Sequence, residues 1–279
     1  MVLAGMLALF AWQSLPVWRQ GGLGYVTGDV WFFRRDLYGT LPMLYGTVVV
    51  AAIAILIATP IGLGAAIFTA EILPARPRIA VKFALELLSG IPSVVYGLLG
   101  VLVLRNYVYD GLRFLGFDPL SGDTLLTAGL LLAMMVLPTV MTLADDALRA
   151  VPTVQRVAAR GLGLTRTQTI LGVALPQARR GLVAAVLLAL GRALGETIAV
   201  FLVIGRQDNQ LPKTPLSLEP LISAGQTFTS KLGGAETNIA YGTELHWAAV
   251  VGLGFLLLLV VGAVTFVGAL LEGGTESHV

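Results

Sequence analysis

The stretch from Leu41 to Ala70 contains no Asp, Glu, Lys or Arg. A helix rises about 1.5 Å per residue and the hydrocarbon core of a bilayer is about 30 Å thick, so a run of this length crosses a membrane with some tilt. Comparable apolar runs recur at 83–108, 124–143, 181–204 and 246–271, and a shorter one opens the chain at 1–18. Only 12% of the residues are charged and 56% are hydrophobic, whereas a soluble domain carries about 25% charged residues. The fold class expected is therefore all-α, a polytopic membrane protein with six spans. At about 27 Å the opening run is a bare minimum for a span. It lacks the basic n-region of a signal peptide, so a first membrane helix is the expectation.

Between these runs the chain is punctuated. Pro60, Gly62 and Gly64 predict a kink late in the second span, because a membrane helix tolerates proline where neighbours satisfy the freed carbonyl. Ser89–Gly100, reading SGIPSVVYGLLG, breaks the regular ladder inside the third span. The fourth span holds Pro138 and ends near Asp145, Asp146 and Arg149. Pro152 then opens a polar, arginine-flanked segment, residues 149–180, which predicts two short helices, Thr153–Leu162 and Thr165–Leu175. Gly163 would stop the first and Thr165 would cap the second.

Arg76, Arg78 and Lys82, with Arg149, Arg156, Arg160, Arg166, Arg179 and Arg180, crowd the second and fourth loops. Nearly as many basic residues lie on the other side: Arg19, Arg34, Arg35, Arg105, Arg113, Arg206, Lys213 and Lys231. Short, dense clusters set topology more strongly than long loops such as 205–245. Loops two and four are therefore expected in the cytoplasm, with both termini on that side.

The fifth span contains GRALGETIAV, Gly191–Val200. Arg192 and Glu196 are four residues apart and would share a helix face. A lone charge at a helix centre costs about 2.5–3.5 kcal/mol on insertion scales, and charges kept there tend to line ion or substrate pathways. The alternative is an ion pair that locks one helix to another, and the two readings are compatible if the pair holds a closed gate. Gly191 and Gly195 form a GxxxG step that lets a partner helix approach. Glu86 reads as a solvated helix end within reach of Lys82, and Asp145 and Asp146 as contacts to the 149–180 segment or to a partner. Tyr96, Trp31 and Trp247 read as packing or interfacial aromatics.

The absences narrow the function. No Gly-Lys dipeptide occurs, so there is no Walker A loop, and Arg166 stands where a dinucleotide fingerprint beginning at Gly161 needs its third glycine. There is no cysteine, and His246 and His278 are far apart, so no metal site is expected. A net charge of +2 offers no field for nucleic acid.

Ala158, Ala159, Gly163, Val173, Leu175 and Pro176 have the spacing of the EAA loop of ABC-importer permeases, which they resemble; Val157 stands where that loop usually has Glu. LYGTVVV, PIGLGAAIFTAE, GIPSVVYGLLG, LPT, DDALRAVP and GRALGETIAV, taken in order, resemble the permeases of phosphate-specific ABC importers. The last segment is similar to the PstC type rather than the PstA type, which reads GETAP there. The resemblance implies a type I importer transmembrane domain covering residues 1–279, with a coupling loop that docks on an ATPase. It implies a heterodimer with a PstA-type permease, a PstB-type ATPase dimer that binds the ATP and magnesium, and a periplasmic or lipid-anchored PstS-type phosphate-binding protein. It also implies a bacterial inner-membrane location, no cofactor in this chain, no catalytic residues, and Arg192 and Glu196 on the phosphate path. Importers of sulfate, molybdate or phosphonate are the near alternatives. A secondary transporter, a channel, and a non-transporting scaffold or sensor are the distant ones.

Overall fold

The structure, a computed structural model, describes residues 2–212 and 217–273. Lys213 and His278, weighed above, lie outside them. In chain order the helices are α1 (Val2–Gly21), α2 (Gly24–Thr27), α3 (Leu41–Ile67), α4 (Ala75–Gly90), α5 (Ser93–Leu99), α6 (Arg105–Phe114), α7 (Leu125–Ala150), α8 (Thr153–Gly161), α9 (Arg166–Thr169), α10 (Leu175–Gly195), α11 (Ile198–Val203), α12 (Phe228–Leu232), α13 (Glu236–Ala240) and α14 (Glu244–Gly273). Three π-helical turns, Phe68–Ile72, Gly100–Leu104 and Ile170–Ala174, continue or join them. A small hairpin pairs β1 (Trp31–Phe32) with β2 (Leu37–Tyr38).

Four helical stretches are long and apolar enough to cross a membrane: Leu41–Ile72, Leu125–Ala150, Arg166–Gly195 and Glu244–Gly268. A fifth arises only if α4 and the stretch Ser93–Phe114 count as one broken span. The structure differs from the spans and segments expected from the sequence at four places. Helix α1 exists but is not among the spanning stretches; Gln13, Ser14, Pro16 and Arg19 dilute its apolar run. The third run is broken at Ile91 and Pro92, where Ile91 is extended, with ψ 127°. A residue before proline is pushed out of the helical region. The second half of the 149–180 segment is not a separate helix, because α9 passes through a π-turn into α10. The fourth span also runs further than expected, carrying Asp145, Asp146 and Arg149 within α7.

The chain forms two compact units. The first comprises Met1–Ala54, Pro92–Leu132 and Leu194–Val261. Its core gathers Val17, Tyr25, Trp31, Met43, Phe228 and Leu253. The Tyr25 hydroxyl, buried in this core, donates to the Ala249 carbonyl at 2.7 Å. Burial keeps the phenol far above its ordinary pKa. Here α5 packs on α11 through Gly97, where a Cβ would lie 3.1 Å from the Ala199 Cα.

The second unit comprises Ile55–Ile91, Ala133–Ala193 and Gly262–Val279. Its core is made of small and medium side chains: Ala66, Met141, Ala144, Leu148, Val151, Ala178 and Ala185. Small residues let membrane helices approach closely and gain dispersion contacts that lipid cannot supply.

Candidate functional site

The C-terminal end of α3 is where the polar side chains of the second unit converge. A helix ends with carbonyls that have no partner inside it. At the turn Phe68–Ile72 these are taken by arginines from elsewhere. Arg78 donates to the carbonyls of Thr69 at 2.8 Å, Ala70 at 2.9 Å and Leu73 at 3.1 Å. Arg166 donates to the carbonyls of Glu71 and Ile72. Cations at this end also oppose the negative end of the helix dipole.

The Glu71 side chain, only 5% exposed, meets Arg156, 12% exposed, at 2.8 Å. Arg156 also donates to the Leu148 and Val151 carbonyls at 2.6 and 2.5 Å. Helix α8 is thereby pinned to the ends of both α3 and α7. Beside this joint Asp145 is buried and pairs with Arg149 at 2.7 Å and Lys82 at 3.1 Å, and accepts a hydrogen bond from Thr69. Lys82 therefore pairs with Asp145 and Asp146, where the sequence offered Glu86. Asp145 and Asp146 do contact neighbouring segments, as expected.

The turn after α8 forms as the sequence predicts. Gly163 has φ +86°, a conformation cheap only for glycine. Its amide donates to Arg160, and that of Leu164 to Ala159, the bond pattern of a Schellman stop. Thr165 then caps α9 in a reciprocal box with Gln168. Ala159 faces inward and is buried, whereas Val154, Val157 and Leu162 are 75%, 68% and 82% exposed. These three are spaced along one side of α8 and its stop, so the segment presents an apolar ridge with Ala158 also exposed. Val173 and Leu175 are half-buried and Pro176 is exposed at the entry to α10.

Arg192 and Glu196 do not lie on one helix. Helix α10 ends at Gly195 and α11 begins at Ile198, so the i,i+4 register is lost between them. Arg192 donates to the Thr139 hydroxyl at 3.0 Å. Glu196 accepts the Ala199 amide at 3.3 Å, satisfying a first-turn donor of α11. Gly191 is a close-approach position: a Cβ there would lie 2.8 Å from Thr265 Oγ1 of α14. Around Gly195 there is open space, so only the first glycine of the GxxxG step carries a helix contact.

A second polar cluster, in the first unit, was not legible in sequence. Lys231, 4% exposed, binds both carboxylate oxygens of Asp208 at 3.0 Å and Glu236 at 3.2 Å. Glu236 also accepts from Trp31 Nε1 at 2.7 Å and lies 2.7 Å from His246 Nε2. Burial raises the Glu236 pKa, but the Trp31 hydrogen bond, the Lys231 charge and the His246 hydrogen bond outweigh it, and the net shift is downward. His246 stacks on Phe33 with ring centroids 5.1 Å apart. Burial, and then Asp36, push the neighbouring Tyr38 up to about 12. The cluster draws Trp31, Asp208, Lys231, Glu236 and His246 from five separate segments, which no local spacing announces. Trp31 packs, as expected, and in addition anchors a carboxylate. Among the described residues no group of acidic, histidine or cysteine side chains is placed to hold a metal.

Apolar helices of spanning length, a proline-broken pair of helices, and one polar helix held at its root by arginines and carrying an exposed apolar ridge define a polytopic membrane protein with a candidate docking segment. The chain belongs to the family of binding-protein-dependent transport system inner membrane components, whose model matches residues 58–275. The phosphate transport system permease protein PstC of Mesorhizobium japonicum is 36% identical over 272 residues, covering 91% of this chain and 79% of that protein. The protein of the same name from Haemophilus influenzae is 33% identical over 279 residues, covering 95% and 84%. Among solved structures, an inward-facing MetNI methionine ABC transporter superposes with a TM-score of 0.56 at 18% identity, covering 84% of this chain and 93% of that one. This last likeness is one of fold.

Proposed function

We propose that this chain is a permease subunit of an ATP-driven importer of inorganic phosphate, working by alternating access. The observation that carries the reading is the 36% identity to a phosphate permease over 91% of the chain. The arginine-rooted α8 with its exposed ridge supports it, as a surface suited to a partner that moves. In this reading Val157, Ala158, Ala159, Gly163, Val173, Leu175 and Pro176 form or shape the segment that meets a PstB-type ATPase, which holds the ATP and magnesium. A PstA-type permease completes the pathway, and a PstS-type protein delivers phosphate. In this reading the broken pair α4–α6 crosses, α1 crosses as well at the bare minimum length, and both termini lie in the cytoplasm.

Arg192 is the transient counter-ion for phosphate. A guanidinium presents five N–H donors in a fork that matches a tetrahedral oxyanion, and a single hydrogen bond to Thr139 leaves most of them available. Glu196 stands near it in sequence as the charge that competes for it when the two approach.

The test is uptake of labelled phosphate, sulfate and molybdate by cells lacking their own phosphate importer. The cells express this chain with its cognate permease, ATPase and binding protein. Saturable, ATP-dependent phosphate uptake that disappears without this chain is the expected result. Uptake of another oxyanion alone would discard the substrate, and undiminished uptake by Arg192→Gln would remove that residue from the path.

A further inference from the structure

In the second unit, a cleft of about 410 Å³ has Glu86, Ser89, Gly90, Thr139, Thr142 and Arg192 on its walls. Its polar groups are ordered by helix geometry. Glu86 and Ser89 are three residues apart on α4, and Thr139 and Thr142 three apart on α7, so each pair shares a face. Arg192 reaches in from the last turn of α10.

The combination is specific in its chemistry. Three hydroxyls donate or accept, one guanidinium donates only, and one carboxylate accepts only when ionised. Arg192 spends one donor on Thr139 and has the rest for an incoming anion. A tetrahedral oxyanion seated here would receive charge-assisted hydrogen bonds from Arg192 and neutral ones from Ser89, Thr139 and Thr142.

Glu86 looks at first like an error in an anion site. It repels any oxyanion whose oxygens are all bare, and it accepts a hydrogen bond from one that still carries a proton. Phosphate near neutral pH keeps at least one P–OH, and sulfate keeps none. A carboxylate on the wall therefore discriminates by adding a repulsive element against the competitor.

We propose that Ser89, Thr139 and Thr142 join Arg192 in a transient oxyanion subsite, and that Glu86 restricts its occupant to a protonated oxyanion. This rests on the reading of the chain as a phosphate permease, and adds to it a second place where the substrate is held and selected after the binding protein has released it.

The chain contains no cysteine, so a single thiol reports on the cleft. Gly90 lines it, and a Cβ added there meets nothing within 4 Å. The experiment uses the assembled complex carrying Gly90→Cys, a small charged thiosulfonate reagent, and the mass of this chain as readout. Orthophosphate is expected to slow labelling with a saturable dependence, about tenfold at ten times its half-protecting concentration. Sulfate at equal ionic strength is expected to leave the rate unchanged, and Glu86→Gln to let sulfate protect. No protection by orthophosphate overturns the subsite, and equal protection by sulfate in the Glu86 background overturns the selective role of Glu86.

Uptake supplies an independent arm. Thr139→Val with Thr142→Val is expected to lower phosphate uptake at least tenfold, while Thr139→Ser with Thr142→Ser, which keeps both hydroxyls, restores it. Undiminished uptake by the valine pair overturns the subsite even if Gly90→Cys fails to assemble. If Arg192→Gln abolishes uptake while orthophosphate gives no protection, the permease reading stands and only the subsite falls.

Discussion

Replacing Arg156 by Met is the sharpest test of the joint at the end of α3. The change keeps most of the stem and removes the guanidinium. It strands the Glu71 carboxylate, 5% exposed, and takes the donor from the Leu148 and Val151 carbonyls. Removing one partner of a buried pair costs about 3–5 kcal/mol, mostly because the other charge stays buried. Each abandoned carbonyl adds about 1 kcal/mol where water does not reach it. The Arg156 side chain is itself 12% exposed, so water recovers part of that loss and the net expectation is about 4 kcal/mol. For a chain of this size that lowers the melting midpoint by about 10 °C. Glu71→Gln keeps shape and hydrogen bonding and loses only the charge, so it costs about 1.5 kcal/mol. The decisive measurement is the double variant. With the carboxylate gone, Arg156→Met no longer strands a charge, and Glu71→Gln with Arg156→Met should melt above Arg156→Met alone. Midpoints of the four detergent-solubilised complexes give the cycle. Additivity within about 0.5 kcal/mol would refute the argument that these two side chains form one buried unit.

Three further outcomes follow from the geometry. Thr165→Ala removes the capping box and should cost about 1 kcal/mol, seen as faster hydrogen exchange at the Gln168 amide with little change elsewhere. Gly46→Ala should prevent assembly or shift the backbone at Gln226, because its Cβ would fall 2.1 Å from the Gln226 carbonyl oxygen, and there is no flexible side chain to yield; normal yield and melting would contradict this close approach. Despite its burial, the Glu236 carboxyl is held below its ordinary range by Trp31, Lys231 and His246, so it adds stability above the unfolded value that is lost as pH falls through the folded pKa. Exchange protection across α12 and α13 should therefore decline in acid, and Lys231→Met, which removes a charge that lowers this pKa, should move the decline to higher pH.

What the sequence showed and what it hid divide along a physical line. Local chemistry was legible: the Gly163 stop and the Thr165 cap each depend on bonds within a few residues, and both formed where their spacing placed them. The long apolar runs at Leu41, Leu125 and Glu244 are helices for the same reason, since length and hydropathy are summed along the chain. Distant pairings were not legible. Glu71 and Arg156 are 85 residues apart, and nothing in a loop rich in arginines says which one a given glutamate will take. The four-residue spacing of Arg192 and Glu196 misled because it assumed an unbroken helix. The break falls at Glu196 and Thr197, and the Glu196 carboxylate turns to the amide of Ala199 rather than back along α10.

The arginines also show why counting basic residues gave so narrow a margin for orientation. The rule treats every Lys and Arg in a short loop as equivalent, but here they do different work. Arg78, Arg156 and Arg166 are consumed in satisfying the carbonyls of α3 and α7, and Arg149 in holding Asp145. These would be needed on whichever side those helix ends fell. Arg76, Arg160, Arg179 and Arg180 are exposed and are the ones available to an anionic membrane surface or an acidic partner. Two roles that can be separated can be tested separately. Arg179→Gln with Arg180→Gln should leave melting of the complex unchanged and weaken retention of the ATPase most at low salt, with the deficit shrinking as salt rises, since exposed charges act through a screened field. Arg78→Gln should lower the melting midpoint at every salt concentration, because three backbone carbonyls lose their donor. Identical salt profiles for the two variants would show that the division between structural and surface arginines is wrong.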